Sequence, residues 1–148
     1  MKMTDEALMK EALAEARIAL ELGEIPVGAV VAKNGEIIGR GHNTRERDDD
    51  ISGHAEINAL KDAAKRLGNW DLSDCNIYVT LEPCSMCAGA IMQSRIRTLV
   101  YGQSDPREGG LSKYHLFDWG NATTLVCPGV LGEECAKMLE EFFTNLRK

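Results

Sequence analysis

The chain has 148 residues, 44% of them hydrophobic and 27% charged, which favours one folded domain over residues 1–148 and excludes a disordered chain. Its 17 basic and 23 acidic residues give a net charge of −6, which argues against a uniformly basic nucleic-acid coat protein. The most apolar stretch, residues 25–32, is far shorter than the ~20 residues of a membrane span, and no signal peptide is visible, so we expect a cytoplasmic protein without membrane contact.

The first half of the chain predicts a helix, a hairpin, a polar loop and a second helix. Thr4 is suited to cap the first helix and Gly23 to end it. Asn34-Gly35 lies between two apolar runs, which is the pattern of a two-residue hairpin turn. In chain order these elements are predicted over residues 5–22, 27–33 with 36–42, 43–52, and 53–67.

The second half predicts strands that alternate with helices. Pro83 suits the start of a helix, because the first helical position needs no backbone N–H. Predicted in order are a strand over 77–81, a helix over 83–94, a strand over 96–101, a loop over 102–121 with one short helical turn, a strand over 123–127 and a helix over 132–146. Strands alternating with helices predict a layered α/β domain whose sheet opens with an antiparallel hairpin.

Two short motifs carry the chemistry of this sequence: His54-Ala55-Glu56 and Pro83-Cys84-Ser85-Met86-Cys87. Cys84 and Cys87 are three residues apart at a predicted helix start, where the thiolate form is favoured. One helix and one strand separate His54 from them, so a strand returning beside the first helix would bring the two helix starts together. Zinc takes such nitrogen and sulfur ligands, and three of them leave a fourth position open for water. We therefore predict one Zn²⁺ per chain, held by His54, Cys84 and Cys87.

Glu56 is the predicted proton carrier of this site. Zinc lowers the pKa of a bound water from ~15.7 to ~7, and a neighbouring carboxylate can take up and return the proton. Two alternatives for the cysteines are a redox pair and half of a structural zinc site. The absence of a second Cys-x-x-Cys from the sequence weakens the structural alternative, and Pro83 together with the upstream His-x-Glu fits a thioredoxin-like motif poorly.

The remaining cysteines and histidines favour structural roles. Cys135 lies on an apolar helical face, and Cys75 and Cys127 flank strands, so we predict that all three are packed thiols. His42 and His115 are predicted to be surface or packing residues, not a fourth metal ligand.

The motifs resemble those of the zinc-dependent nucleobase deaminases of the cytidine deaminase superfamily, whose signature combines His-x-Glu with Pro-Cys-x-x-Cys. The similarity is closest to the tRNA-specific adenosine deaminase branch and runs from the first helix to about residue 102. It is carried by residues 23–30, 41–43, 54–60, 78–90 and 94–96.

This resemblance implies a cytidine-deaminase-like fold, in which a five-stranded mixed sheet lies between two helical layers. It also implies zinc at the three predicted ligands, proton transfer by Glu56, and a homodimer. It assigns substrate contacts to Asn43, Ala55, Pro83 and Asp105, with Asn43 on the base and Asp105 near the ribose. An amide suits the first of these roles because it both donates and accepts hydrogen bonds.

The first functional hypothesis is deamination of adenosine to inosine at the wobble position of a tRNA anticodon loop, where a base is easily unstacked. Candidate phosphate contacts are Arg45, Arg47, Arg95, Arg97, Arg107 and Lys113. Residues 106–113 depart from the pattern of the tRNA enzymes, which leaves the substrate open.

The second hypothesis is a deaminase of a free nucleobase or small nucleoside, such as guanine, cytosine or a related heterocycle. It predicts that Tyr114, His115, Phe117 or Trp119 covers the ligand. A third hypothesis, a scaffold without enzymatic activity, is opposed by the presence of Glu56 in the motif.

Overall fold

The computed structural model describes residues 2–118 and 123–146, so Trp119 lies outside the described residues. Within these ranges the chain forms five helices, five strands and one 3₁₀ turn. In order they are α1 (Asp5–Glu21), β1 (Gly28–Lys33), β2 (Glu36–His42), α2 (Arg45–Asp48), α3 (Ala55–Leu67), β3 (Cys75–Leu81), α4 (Ser85–Gln93), β4 (Thr98–Gln103), the 3₁₀ turn (Leu116–Asp118), β5 (Leu125–Cys127) and α5 (Gly132–Leu146). No helix in these ranges is long and apolar enough to cross a membrane.

The strands of the described ranges form one mixed sheet in the order β2-β1-β3-β4-β5. Strand β1 is antiparallel to β2 and β3, whereas β3, β4 and β5 run parallel. Asn34 and Gly35 both have positive φ angles, of 53° and 75°, as the predicted two-residue turn requires. The hairpin prediction is confirmed, and it places β1 at the centre of the antiparallel half of the sheet.

Helices cover both faces of the sheet. On one face α1 and α5 pack around a cluster that includes Met9, Val30 and Val100. On the other face α3 and α4 enclose a larger cluster, centred on Val31 and Ile77. The predicted three-layer α/β/α architecture is therefore confirmed.

The segment before α3 departs from its predicted form, because the loop expected over residues 43–52 contains helix α2. The carboxylate of Glu24 accepts hydrogen bonds from the backbone N–H groups of Glu46 at 3.2 Å and Arg47 at 2.6 Å. These bonds satisfy donors that a helix start leaves free. Glu24 is distant in sequence, so the local pattern of residues 43–52 carries no sign of this cap.

Several predicted boundaries also shift by a few residues. Helix α3 begins at Ala55, with His54 in the N-cap position, and not at Gly53. Strand β4 begins at Thr98 instead of Ile96, and β5 starts at Leu125 instead of Thr123. These shifts leave the order of the elements unchanged.

Close packing of β2 on α3 depends on glycine. A Cβ at Gly39 would lie 2.5 Å from the Ala59 carbonyl oxygen and 2.7 Å from the Ala63 nitrogen, both of them backbone atoms of α3. We expect Gly39→Ala to lower the free energy of unfolding by ~1–3 kcal/mol, because the helix must move away from the sheet. Urea unfolding measures this.

Gly89→Ala is the matched control for that substitution. Gly89 lies within α4, and a Cβ there would meet nothing within 4 Å. Alanine should stabilise this helical position or leave it unchanged. Equal stabilities of Gly39→Ala and the parent protein would contradict the packing argument.

Candidate active site

The starts of two helices meet at one end of the sheet. Helix α3 follows His54 and packs on β1 and β2, while α4 follows Cys84 at the end of β3. Because β3 is the neighbour of β1, the Nδ1 atom of His54 lies 3.5 Å from the Cys84 Sγ and 3.4 Å from the Cys87 Sγ. The structure thus brings together the three residues that the motif spacing predicts.

The donor set of this group fits zinc. One imidazole nitrogen and two sulfurs lie within 4.8 Å of one another, and these are the atom types that Zn²⁺ prefers. A hydrogen bond from the Cys87 thiol, together with one from His54, lowers the pKa of Cys84 to about 4, so its thiolate is available to a metal. The same bond to Cys84, and burial, raise the pKa of Cys87 in the metal-free protein.

The two cysteines reach this group from different positions in the backbone. Cys84 occupies the N-cap position of α4 in extended backbone, whereas Cys87 lies in the first turn of the helix and is fully buried. The prediction placed both cysteines on the helix; instead Cys84 precedes its first residue, Ser85.

Glu56 lies beside this group in the first turn of α3. Its side chain is 4% exposed, and desolvation raises its pKa to about 7. Burial disfavours the charged form of a carboxyl group, which brings its proton affinity into the neutral range. A group with this pKa can both accept and return a proton at neutral pH.

A cavity of about 230 Å³ opens onto the group formed by His54, Cys84 and Cys87, called the metal group below. It is smaller than the ~300–1,000 Å³ of pockets for drug-sized ligands, so it suits one heterocycle whose substituents extend outside. Its lining residues are Ile25, Val27, Asn43, Arg45, His54, Ala55, Glu56, Leu81, Glu82, Cys84, Asp105 and Glu108.

Three of the four predicted substrate contacts line this cavity: Asn43, Ala55 and Asp105. Pro83 does not line it. This residue is buried, and its carbonyl oxygen accepts a hydrogen bond from the Gly110 N–H at 2.8 Å. The substrate contact of Pro83 stays a prediction.

The amide of Asn43 has a fixed orientation. Its Nδ2 donates to the Ile25 carbonyl oxygen at 3.3 Å, and its Oδ1 accepts from the Arg45 backbone N–H at 3.2 Å. One N–H and one oxygen lone pair of the amide remain for a ligand. Asp105 is held similarly, because its Oδ1 accepts from the backbone N–H groups of Arg107 and Glu108.

The aromatic cover expected for a small-molecule deaminase is not found in residues 2–118 and 123–146. Tyr114 and His115 are exposed, and Phe117 packs against the core cluster between the sheet and helices α3 and α4. Of the described residues of the 102–121 loop, Asp105 and Glu108 line the cavity.

The predicted phosphate contacts lie in different surroundings. Arg45 lines the base cavity, whereas Arg95 and Arg97 line a separate depression of about 730 Å³. Arg95 lies over the Trp70 ring, with 5.3 Å between the guanidinium carbon and the ring centroid, and its Nη1 is 3.5 Å from an Asp71 carboxylate oxygen. Arg47, Arg107 and Lys113 are exposed on loops or on the short helix α2.

The other cysteines are as predicted. Cys75 and Cys135 are buried, and burial raises the pKa of both thiols, so each packs as a small apolar group. Cys127 is partly buried and packs against the same cluster as Cys135. His42 is 3.1 Å from Glu15, on the opposite face of the sheet from the metal group.

Two buried carboxylates of the cavity region were missed by the sequence analysis. Glu24 and Glu82 are each 2% exposed, and both accept hydrogen bonds from backbone N–H groups of neighbouring loops. No local pattern of the sequence marks either residue, because the backbone donors of each lie more than twenty positions away.

A family model described as MafB19-like deaminase matches residues 3–147. The chain belongs to this family. A tRNA-specific adenosine deaminase of Bacillus subtilis is 48% identical over 97% of the chain and 91% of its own length. One of Haemophilus influenzae is also 48% identical, over 97% of the chain and 86% of its length.

Solved structures agree with this assignment. The chain is similar to a protein from a study of A-to-I editing by tRNA:A34 deaminases, with a TM-score of 0.86 and 40% identity over 89% of this chain and 98% of the other. It is also similar to a guanine deaminase of Nitrosomonas europaea, with a TM-score of 0.85 and 25% identity over 96% of this chain and 86% of the other. The predicted deaminase fold is confirmed, and this chain is a deaminase.

Proposed function

We propose that this deaminase hydrolyses the exocyclic amine of adenosine at the wobble position of a tRNA anticodon loop, producing inosine and ammonia. The observation that supports it most is a one-heterocycle cavity lined by His54, Glu56 and Cys84, with Cys87 grouped beside His54 and Cys84. The named activities of the 48% identical relatives support the choice of adenosine in tRNA.

His54, Cys84 and Cys87 hold Zn²⁺ in this proposal. Bound there, zinc lowers the pKa of water so that a nucleophile exists at neutral pH. Glu56 takes a proton from the attacking water as the C–O bond forms, and in the following step it delivers that proton to the amine, so that the C–N bond breaks and ammonia leaves. Its pKa of about 7 suits both transfers.

The cavity walls orient the base. The tethered amide of Asn43 offers one donor and one acceptor to the ring edge, and the methyl group of Ala55 packs beside it. Asp105 at the mouth of the cavity contacts the ribose, since only the base fits inside.

As expected for a tRNA-modifying enzyme of this family, we also propose a homodimer in the cytoplasm, and sedimentation of the purified protein tests the dimer.

The substrate is tested with an anticodon stem-loop that carries adenosine at position 34. We expect inosine at that position alone, measured by nuclease digestion and chromatography. A stem-loop with guanosine at position 34 and adenosine at position 35 is the matched control and should remain unchanged, because the neighbouring base stays outside the cavity.

Free guanine, cytosine, adenine and their nucleosides form the second arm of this test. The cavity volume also fits a free base, and the chain is similar to a guanine deaminase, so release of ammonia from each compound is measured in parallel. Ammonia from guanine, with no inosine in the stem-loop from zinc-loaded enzyme, would overturn the tRNA proposal and support a free-base deaminase.

A further inference from the structure

Glu82 is a buried carboxylate with an unusual number of donors around it. Its Oε1 accepts from the Asp105 backbone N–H at 3.1 Å and from the Ser112 hydroxyl. Its Oε2 accepts from the backbone N–H groups of Leu111 at 3.1 Å and Ser112 at 2.8 Å. All four bonds lead to one segment, residues 105–112, which we call the mouth loop.

The mouth loop also contacts the cysteine segment through its backbone. Gly110 donates to the Pro83 carbonyl oxygen at 2.8 Å, and Gly109 forms an isolated β-bridge with Cys84. A Cβ at Gly109 would overlap the Glu82 carboxylate. The loop is therefore fitted closely around this side chain, with glycine where the carboxylate comes nearest.

We propose that Glu82 is a positioning residue that fixes the mouth loop against the cysteine segment and thereby sets Asp105 and Glu108 at the rim of the cavity. The inference rests on the proposed function in one respect, that the substrate enters this cavity. Glu82 itself makes no contact with the reacting atoms in this assignment; it acts through the loop.

The chemistry of the side chain explains why a carboxylate is needed. A carboxylate only accepts hydrogen bonds and has about four lone-pair sites, which matches three N–H donors and one hydroxyl. Glutamine has the same shape but carries an NH₂ group, which would face an N–H donor and leave it unpaired. Bonds to a charged acceptor are stronger than neutral ones, so the loop should loosen measurably in Glu82→Gln.

The first test is amide hydrogen exchange of the metal-loaded protein. In Glu82→Gln we expect exchange of the Asp105, Leu111 and Ser112 amides to speed up about 10- to 100-fold, with amides of β1 and β3 unchanged. Glu24→Gln is the matched control, because Glu24 is an equally buried carboxylate that accepts hydrogen bonds from the backbone N–H groups of Glu46 and Arg47. This variant should speed up exchange at those two amides but not in the mouth loop.

The second test is kinetic and uses the stem-loop substrate. Glu82→Gln should raise KM about tenfold or more and change kcat less, because the loop orients substrate while the metal group and Glu56 stay in place. Ser112→Ala removes one donor from an exposed position and should act in the same direction, about threefold.

Three outcomes would overturn the proposal: unchanged exchange in the mouth loop, loss of zinc from Glu82→Gln, or equal losses of kcat and kcat/KM. Loss of zinc would assign Glu82 to the metal site instead. Ser112→Ala keeps the idea testable even if Glu82→Gln folds poorly. If the stem-loop is no substrate of the parent protein, the proposed function fails, while the exchange experiment still decides the role of Glu82.

Discussion

Glu56→Gln should fold and bind zinc as the parent protein does, and its kcat should fall about 100- to 10,000-fold, the usual contribution of a positioned acid-base group. Glutamine fills the same space as glutamate but can neither take a proton from water nor deliver one to the leaving amine. Metal analysis, circular dichroism and single-turnover formation of inosine measure the three properties on one sample. Glu56→Ala should lose activity to a similar extent and also retain its zinc.

The stability of the metal-free protein gives this prediction an independent readout. Burial raises the pKa of Glu56 from 4.5 to about 7, so the folded state binds a proton that the unfolded state has released between these values. The free energy of unfolding therefore falls by up to ~3 kcal/mol as the pH rises from about 4.5 to 7, and glutamine removes this penalty.

We thus expect metal-free Glu56→Gln to be more stable than the parent at pH 7 and similar to it near pH 4.5. A residue kept for stability would show the opposite sign. Loss of zinc or of the fold in Glu56→Gln, or retention of full turnover, would contradict the assigned role.

Local sequence patterns were sufficient to predict the order and type of most helices and strands. The Asn34-Gly35 pair specifies a turn with two positive φ angles, and the spacing of apolar residues marks α1, α3 and α5. The helix ends were readable where a cap is local, as at Thr4, whose hydroxyl accepts from the Ala7 N–H at 3.1 Å. Such signals depend only on residues a few positions apart.

The same reasoning failed where distant side chains decide local structure. Helix α2 exists because Glu24 caps it, and the mouth loop has its shape because Glu82 lies inside it. Neither the polar residues of α2 nor the glycines of the mouth loop reveal a partner more than twenty positions away. Buried carboxylates that serve backbone donors are therefore the features that required the structure.

The residues of the candidate site could likewise be predicted only in part from the sequence. His54, Cys84 and Cys87 could be predicted because a metal constrains ligand types and spacing, and the fold brings these three residues together. Glu56 could be predicted because it lies two residues from His54. The substrate contacts were assigned through the family resemblance, and Asn43, Ala55 and Asp105 line the cavity whereas Pro83 does not. The positions of cavity walls depend on loop packing, which short motifs do not encode.

Cys87→Ala should lose zinc and, with it, all measurable deamination. Its sulfur is one of the three proposed ligands, it is fully buried, and a methyl group cannot replace a thiolate. The parent protein should also gain thermal stability on addition of zinc, by ~2.7 kcal/mol at 100 times the dissociation constant, because the site forms only in the folded state. Cys87→Ala should show no such gain.

Cys135→Ala is the matched control for the loss of zinc and activity expected in Cys87→Ala. Cys135 is 1% exposed, so the same change of thiol to methyl occurs at an equally buried position, on the opposite face of the sheet and outside the metal group. It should keep one zinc per chain and parental kinetics, with a modest loss of stability from the lost packing. Stoichiometric zinc in Cys87→Ala would show that the Cys87 sulfur is not a ligand. Loss of zinc in Cys135→Ala would show that zinc binding responds to loss of any buried thiol, and either result would contradict the metal assignment. Removal of zinc from the parent by a chelator, with recovery of inosine formation on its return, separates the need for metal from the effect of either substitution.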